Sequence, residues 1–553
     1  MSGRLDGLET LLSSLGERGR YQMSMLILLS CTYILLVFNH VVMAFHGMGV
    51  PHSCVPGNLS VTEEVNATFT LTGAQGYSQL LSIESHKCSS VEHFSDGHNL
   101  TTFCEAGQFV YHPKNAEKTI VSDFDLVCSN KDLSSLATTI YFAGVMLGGL
   151  VFGDLADRLG RLPVLLGTLY MSVVLGVATA FSVNYVMFVV LRFAQGVLMQ
   201  GMQTSAYTMV MELFVARLRP MAGSVIESFF GVSVMLLAGL AYALQDWRHL
   251  QLAVSIPGVL AVFYVCVVPE SLRWLLMKGK FEKAEALIRK ICQKNQVAFP
   301  AAEWQKLKEE TSMKLDLGSE QKEHTMIDLV KTSQLRKRSF ALLFIWLTIS
   351  TTYYGLTFKM TVFKWNKYMT FFIGGAVESV CYILSLPVMR YFGRKKPLLV
   401  CLLCACVTCL AAGLLNDHSS GLTYLIIALA LAGRCATAFL FAIIFVFSSE
   451  LFPTLIRNIG MGFCCFWARL GGVLAPQVNQ WAKTVVGFDA IIIFGVLAGI
   501  AAVCVLVLPE THNCLLPDAL HDVTEGHVLN KKDKDLMEED AVALQSMTNH
   551  QMS

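Results

Sequence analysis

Arg469 lies 12 residues beyond Arg457 inside an otherwise apolar run. At 1.5 Å per residue that is about 18 Å along a helix, which puts a guanidinium near the middle of any bilayer the run crosses. Ionisable groups at such depth are costly and mark functional sites by default. A guanidinium in low dielectric repels organic cations and pairs bidentately with carboxylates, so the chemistry suggested is capture of a carboxylate-bearing solute. The alternative is a pair with an acid on a neighbouring helix. Two acids also lie in apolar runs: Glu378, in Gly374-Gly375-Ala376-Val377-Glu378, and Glu227. A cavity holding Arg469 with one or both would suit a zwitterion, or an anion with a weaker charge requirement. Equally, these acids would neutralise Arg434 and Arg192, which sit in apolar runs of their own.

A second group of charges falls at the ends of apolar runs. Gly153-Asp154-Leu155-Ala156-Asp157-Arg158-Leu159-Gly160-Arg161 is a tight connection in which glycines permit close approach, while Asp and Arg bridge helix ends. Glu212, Arg219, Glu270, Glu450 and Arg457 occupy comparable ends. A third group is oxidative. Cys54, Cys88, Cys104 and Cys128 share one polar segment with three N-x-[ST] sequons, at Asn58, Asn66 and Asn99. An even cysteine count with sequons points to a glycosylating, oxidising compartment. Three disulfide pairings are open. Most other cysteines, such as Cys31, Cys266, Cys401 and Cys409, lie in apolar runs and read as small packing residues.

The elements that must hold these groups follow from composition. The chain of 553 residues is 54% hydrophobic and 15% charged, more apolar than a soluble fold of that size needs. The net charge of +1 gives no basic surplus for nucleic acid. About 20 apolar residues cross a bilayer core, and that rule predicts helices near 23–45, 134–153, 163–182, 185–210, 221–244 and 250–268, then 340–358, 368–389, 397–415, 422–447, 458–480 and 487–508. The first run lacks a cleavage site and reads as a retained span. The expected organisation is a cytosolic N-terminus at 1–22, a first six-helix half at 23–269 with an extracellular domain at 46–133, and a cytosolic inter-half loop at 270–339. A second half at 340–508 and a cytosolic tail at 509–553 complete it. Within the inter-half loop, Lys280 to Lys290 reads as amphipathic helix and the stretch around Lys306 to Glu323 as charged linker. Lys and Arg in the connections set the orientation, with Lys364 and Lys367 as exceptions on the outer side.

The halves repeat at an offset of about 240 residues. Met211-Glu212-Leu213-Phe214 with Arg219 answers Ser449-Glu450-Leu451-Phe452 with Arg457. Pro269-Glu270-Ser271 answers Pro509-Glu510-Thr511, Arg192 answers Arg434, and Gly160-Arg161 answers Gly393-Arg394.

The connection at 153–161 resembles the loop signature of the major facilitator superfamily. That resemblance implies an all-α membrane fold of twelve helices in two pseudo-symmetric halves. It also implies that Asp157, Arg158, Arg161, Glu212, Arg219, Glu270, Glu450 and Arg457 form a cytosolic latch broken as the halves rock. Thr119-Ile120-Val121-Ser122-Asp123-Phe124-Asp125-Leu126-Val127-Cys128, Val268-Pro269-Glu270-Ser271-Leu272-Arg273-Trp274-Leu275-Leu276 and Glu450-Leu451-Phe452-Pro453-Thr454-Leu455-Ile456-Arg457-Asn458 resemble the organic-ion transporters of solute carrier family 22. The likeness runs from Tyr21 to about Thr511. It implies polyspecific organic-ion transport through an aromatic cavity. Substrate positions matched by the resemblance are Arg469, Trp346, Tyr353, Tyr354, Phe441, Phe445, Phe230, Tyr207, Gln203, His40 and Glu378. In the family's cation carriers the position of Arg469 resembles an Asp, and in its anion and carnitine carriers an Arg. Tyr382 stands where several anion carriers have Lys. The aromatic residues would equally serve as inter-helix packing, and His40 as an interior histidine or a proton-sensitive group.

The expectation is a plasma-membrane secondary carrier of organic anions or zwitterions working by alternating access. A cation or carnitine carrier is the alternative, and a non-transporting sensor or scaffold the alternative of another class. No phosphate-binding loop of the G-x-x-x-x-G-K-[ST] type appears, so the driving force expected is a solute gradient or exchange. Neither metal-ligand spacing nor a nucleophile elbow appears, so no enzyme, cofactor or metal is expected. The partners expected are a small organic ion, an exchanged counter-ion and the lipid bilayer, without nucleic acid, for a chain acting as a monomer.

Overall fold

A computed structural model describes residues 6–54, 68–69, 80–85, 88–94, 99–104, 108–112, 117–316, 329–360, 366–415, 422–453, 456–482, 487 and 489–511. Asn58, Asn66, Lys364 and the tail beyond 511 lie outside the described residues, and of Asn99 only the backbone is described. The chain opens with α1 (Asp6–Ser14), then α2 (Arg20–Val41) and the one-turn α3 (Met43–His46). Strands β1 (His52–Cys54), β2 (Thr68–Phe69), β3 (Leu80–Ser85), β4 (Ser89–Phe94), β5 (Asn99–Phe103) and β6 (Phe109–Tyr111) follow. β2 to β5 form an antiparallel meander, and β1 pairs with β6. These strands fall in the segment expected as an extracellular domain, outside the helices that make the all-α membrane fold.

The module is tied by Cys54–Cys104 and Cys88–Cys128, with Cα separations of 5.8 and 5.6 Å. One of the three open pairings is thereby selected. Peptide mapping without reduction is expected to recover these two links and neither alternative.

After the one-turn α4 (Ile120–Asp123) come α5 (Asp132–Leu159), α6 (Arg161–Ala180), α7 (Tyr185–Leu213), α8 (Arg219–Ala243), α9 (Trp247–Ser255) and α10 (Tyr264–Val267). The expected continuous sixth helix is broken at Ile256–Phe263 into 3₁₀ turns. Pro257 lacks an N–H and Gly258 favours no helix. The inter-half segment contains α11 (Leu272–Met277), α12 (Phe281–Asn295) and α13 (Ala301–Asp316). α13 occupies much of the stretch expected to be linker, because Trp304 and Leu307 bury against the leucines of α1. The second half is α14 (Ser333–Lys359), α15 (Lys367–Phe392), α16 (Lys395–Leu414), α17 (Thr423–Leu451), α18 (Arg457–Trp481) and α19 (Ala490–Leu506). Eleven described helical segments are long and apolar enough to cross a membrane, and α19 is a shorter twelfth.

The cores reveal how the halves meet. One apolar cluster joins α1, the lower parts of the first half and α12–α13, while a second lies wholly within residues 329–508. A third mixes both halves, with Phe38, Phe142 and Phe230 against Tyr353, Tyr354 and Phe371. Near the β-module, α5 packs on α18, and α8 packs on α15. Gly231 and Gly375 allow the latter approach, since a Cβ on either would lie within 2.7 Å of a backbone oxygen on the other helix.

Candidate functional site

Four helices bring a single guanidinium to the seam. Arg469 of α18 donates from Nη2 to Oε1 of Gln203 on α7 at 2.6 Å. Glu227 of α8 lies within electrostatic reach of Arg469. Tyr33 of α2 lies beside the same Gln203, within reach of Glu227 and Arg469. Arg469, Gln203 and Glu227 are each partly exposed.

The other spanning charges are absorbed by the fold. Arg434 of α17 pairs with Glu378 of α15 at 3.0 Å, both 1% exposed. The second carboxylate oxygen accepts from the Tyr353 hydroxyl at 2.6 Å and, more weakly, from Tyr382 at 3.4 Å. Glu378, read from the sequence as a candidate solute contact, is therefore held by its own protein. A buried carboxylate needs a cation and hydrogen bonds to fill its lone pairs, and Arg434 with two tyrosines supplies them. Arg192 does not pair with Glu227. Its guanidinium bonds the Asn39 carbonyl at 2.8 Å and Gln195 at 3.0 Å, and lies 4.2 Å from the Tyr141 ring centre.

The aromatic residues form a continuous wall from α7 to α8. Tyr207 lies 6.0 Å from Phe445, Trp346 meets Phe445 edge-on at 4.6 Å, Tyr353 meets Phe441 at 5.4 Å, and Phe230 meets Tyr353 at 5.9 Å. Edge-to-face geometry satisfies the ring quadrupoles. Tyr207, Phe441 and Phe445 are partly exposed, whereas Trp346, Tyr353, Tyr354 and Phe230 are buried and back them. Trp346 also donates from Nε1 to Ser448 at 2.9 Å. His40 is buried, with Nδ1 2.8 Å from the Tyr141 hydroxyl and no partner at Nε2 among the described residues.

At the end opposite the β-module, the charged motifs assemble twice. In the first half Arg161 binds Asp157 at 2.8 Å and Glu212 at 3.3 Å, while Glu270 accepts from the backbone N–H groups of Arg161 and Leu162 at the start of α6. In the second, Arg394 binds Glu450 at 3.0 Å, and Glu510 accepts from the N–H groups of Arg394 and Lys395. Ser271 donates to Glu212 as Thr511 donates to Glu450. Each carboxylate neutralises the positive end of a helix dipole. Gly160 at φ 114° and Gly393 at φ 81° make room: a Cβ on either would strike the oxygen of Glu270 or Glu510. Arg219 instead reaches Glu9 of α1 at 2.6 Å, Arg457 donates to the Phe452 carbonyl at 3.3 Å, and Arg158 is exposed. Among the described residues the expected charges thus gather in two clusters, one in each half, and Arg394 and Glu510 belong to the second.

Sequence reasoning also missed Tyr33, Asn39, Tyr141 and Glu9. The signal for Glu9 was present: Leu8, Leu11, Leu12 and Leu15 repeat at helical spacing.

The profile of the sugar (and other) transporter family matches residues 84–517. The chain is 32% identical over 530 residues to the organic cation transporter protein of Drosophila melanogaster, covering 93% of this chain and 94% of the relative. It is 32% identical over 524 residues to solute carrier family 22 member 13 of Homo sapiens, covering 93% of each. Among solved structures, the xylose transporter XylE from E. coli in a partially occluded inward open conformation aligns with TM-score 0.62 at 17% identity, over 90% of this chain and 100% of that one.

Proposed function

We propose, from the premise that the chain belongs to the sugar (and other) transporter family and within it to the solute carrier 22 organic-ion transporters, that it carries small organic anions or zwitterions across the plasma membrane by alternating access. The β-module faces outward and both termini face the cytosol in this reading. Carboxylate preference rests on one observation. Arg434 is neutralised by Glu378, while the described hydrogen-bond partner of Arg469, Gln203, is neutral. A carboxylate entering beside Arg469 would replace a neutral amide bond with a charge-assisted one. Glu227 nearby supplies a partner for an ammonium group, which favours zwitterions. The aromatic wall would take flat organic groups of varied shape by stacking.

Uptake by cells expressing the chain tests this with dicarboxylates, urate-like and nucleobase-like anions, carnitine and tetraethylammonium. Carboxylate-bearing solutes are expected to enter and tetraethylammonium to be excluded. Uptake of tetraethylammonium alone would support the cation carrier, a reading that Glu227 and the similarity to an organic cation transporter keep in view. No uptake of any solute would favour a sensor.

The two charge clusters fix the lower helix ends within each half, and the proposed latch acts through them. Asp157→Asn leaves Glu212 as the one described carboxylate on the Arg161 guanidinium, beside the Ala156 carbonyl. Its maximal uptake rate is expected to fall about three- to tenfold, roughly 0.7–1.4 kcal/mol in barrier, with KM moving less than twofold. Unchanged turnover would count against the latch.

A further inference from the structure

On the side of the β-module lies a cavity of about 1180 Å³, bordered by Met43, Glu117, Tyr242, Lys367, Tyr368 and Trp481, among others. It is comparable to the larger small-molecule sites, which run to roughly 1,000 Å³. It is separate from the Arg469 region, and a partly buried ion pair crosses it from one half to the other. Lys367 Nζ donates to both oxygens of Glu117, at 2.8 and 2.7 Å, with the two side chains 19% and 13% exposed. The Tyr368 hydroxyl adds a bond to Glu117 at 3.2 Å, and the ammonium lies 5.1 Å from the Tyr368 ring centre.

Both ends of this tie are anchored by backbone hydrogen bonds or a helix cap. Lys118, next to Glu117, donates its N–H to Gln245 O and accepts from Trp247 N, which fixes Glu117 to the first half. Lys367 is the first residue of α15, capped by Asn366. A cation there opposes the helix dipole and breaks the orientation rule noted in the sequence, so its charge depends on Glu117. The tie must part whenever the halves separate on this side.

Parting leaves one unpaired carboxylate and one unpaired ammonium facing the same cavity, beside exposed Tyr242 and Trp481. A ligand shifts a two-state equilibrium only through differential affinity for the two states. A solute bearing both charges satisfies both groups of the parted state and neither group of the paired one. A simple cation or anion leaves one of them unpaired. We propose that this cavity is a capture site for a zwitterionic solute, recognised by Glu117 through its cationic group and by Lys367 through its carboxylate, whose binding parts the halves on the outer side. This rests on the reading of the chain as a carrier.

The test uses the full chain with Val473→Cys, placed in the seam where the Val473 carbonyl meets Thr139. Labelling by a membrane-impermeant maleimide is measured above the background of the parent chain. Glu117→Gln and Lys367→Met are each expected to speed labelling at least threefold, and the exchange Glu117→Lys with Lys367→Glu to return it to the starting rate. Carnitine, as the zwitterion probe, is expected to speed labelling when the pair is intact and in an Arg469→Ala background, but not in Glu117→Gln. Tetraethylammonium and benzoate are expected to have no effect. Unchanged labelling in both single variants overturns the proposal. So does an absent carnitine effect, an equal effect of either simple ion, or a carnitine effect that vanishes with Arg469→Ala, which would assign it to the central site. A labelling response in a chain that takes up no solute would retain the capture site and refute the carrier reading.

Discussion

Arg434→Leu, with Glu378 left in place, is expected to abolish recovery of folded protein. Glu378 is 1% exposed, and its cation is Arg434 at 3.0 Å. Removing one partner of a buried pair leaves an uncompensated charge and costs about 3–5 kcal/mol, a large fraction of a typical folding free energy of roughly 5–15 kcal/mol. Glu378→Leu is expected to be nearly as damaging, since Arg434 would lose its carboxylate partner and keep neutral contacts such as the Met360 sulfur and neighbouring rings. Replacing both charges, Glu378→Leu with Arg434→Met, removes the stranded ion, and recovery is expected to return in large part. A deficit of about 1–3 kcal/mol should remain, because the Tyr353 hydroxyl loses its acceptor; adding Tyr353→Phe should reduce it. Monodisperse yield in detergent and the thermal midpoint of all four variants measure this. A double variant as poorly recovered as the singles would contradict it.

The same pair shows where sequence reasoning ran out. Apolar runs and interrupting charges placed eleven of the twelve spans, most ends within four residues and the worst, the start of α14, seven away, because length and hydropathy are local properties. The broken sixth helix was readable in principle from Pro257-Gly258. Glu378 was different. Its position in a span marked it as either solute contact or counter-charge, and the choice depended on which way α15 and α17 turn towards each other. Nothing in a linear pattern encodes that rotation. The repeat did carry real information about the lower charge clusters: Glu212 with Glu450, and Glu270 with Glu510, occupy corresponding positions and make corresponding bonds. It could not show that these bonds stay within a half. The β-module left no periodic signal in the segment read as an extracellular domain, since its strands are short and alternate weakly, and two disulfides tie it.

Arg469→Asp is expected to reverse the charge preference of transport. The side chain lies at the seam, bonded across it to Gln203, so the group that would contact solute also joins α18 of one half to α7 of the other. With Asp at 469 and Glu227 nearby, the interior would present two acids and no free guanidinium, since Arg434 and Arg192 are committed elsewhere. A carboxylate-bearing solute would meet repulsion in place of a charge-assisted bond. Its uptake is expected to fall by about 10²-fold or more, because a hydrogen bond to a charged group contributes roughly 1.5–3 kcal/mol and the reversal adds a like-charge penalty. Tetraethylammonium uptake should appear or rise over the same assay. Arg469→Gln separates the two terms: it keeps an amide able to bond Gln203 and removes the charge, so anion uptake should fall without gain of cation uptake. If Arg469→Gln transports carboxylates as the parent does, the guanidinium serves only to tie α18 to α7, and solute charge is read elsewhere in the seam.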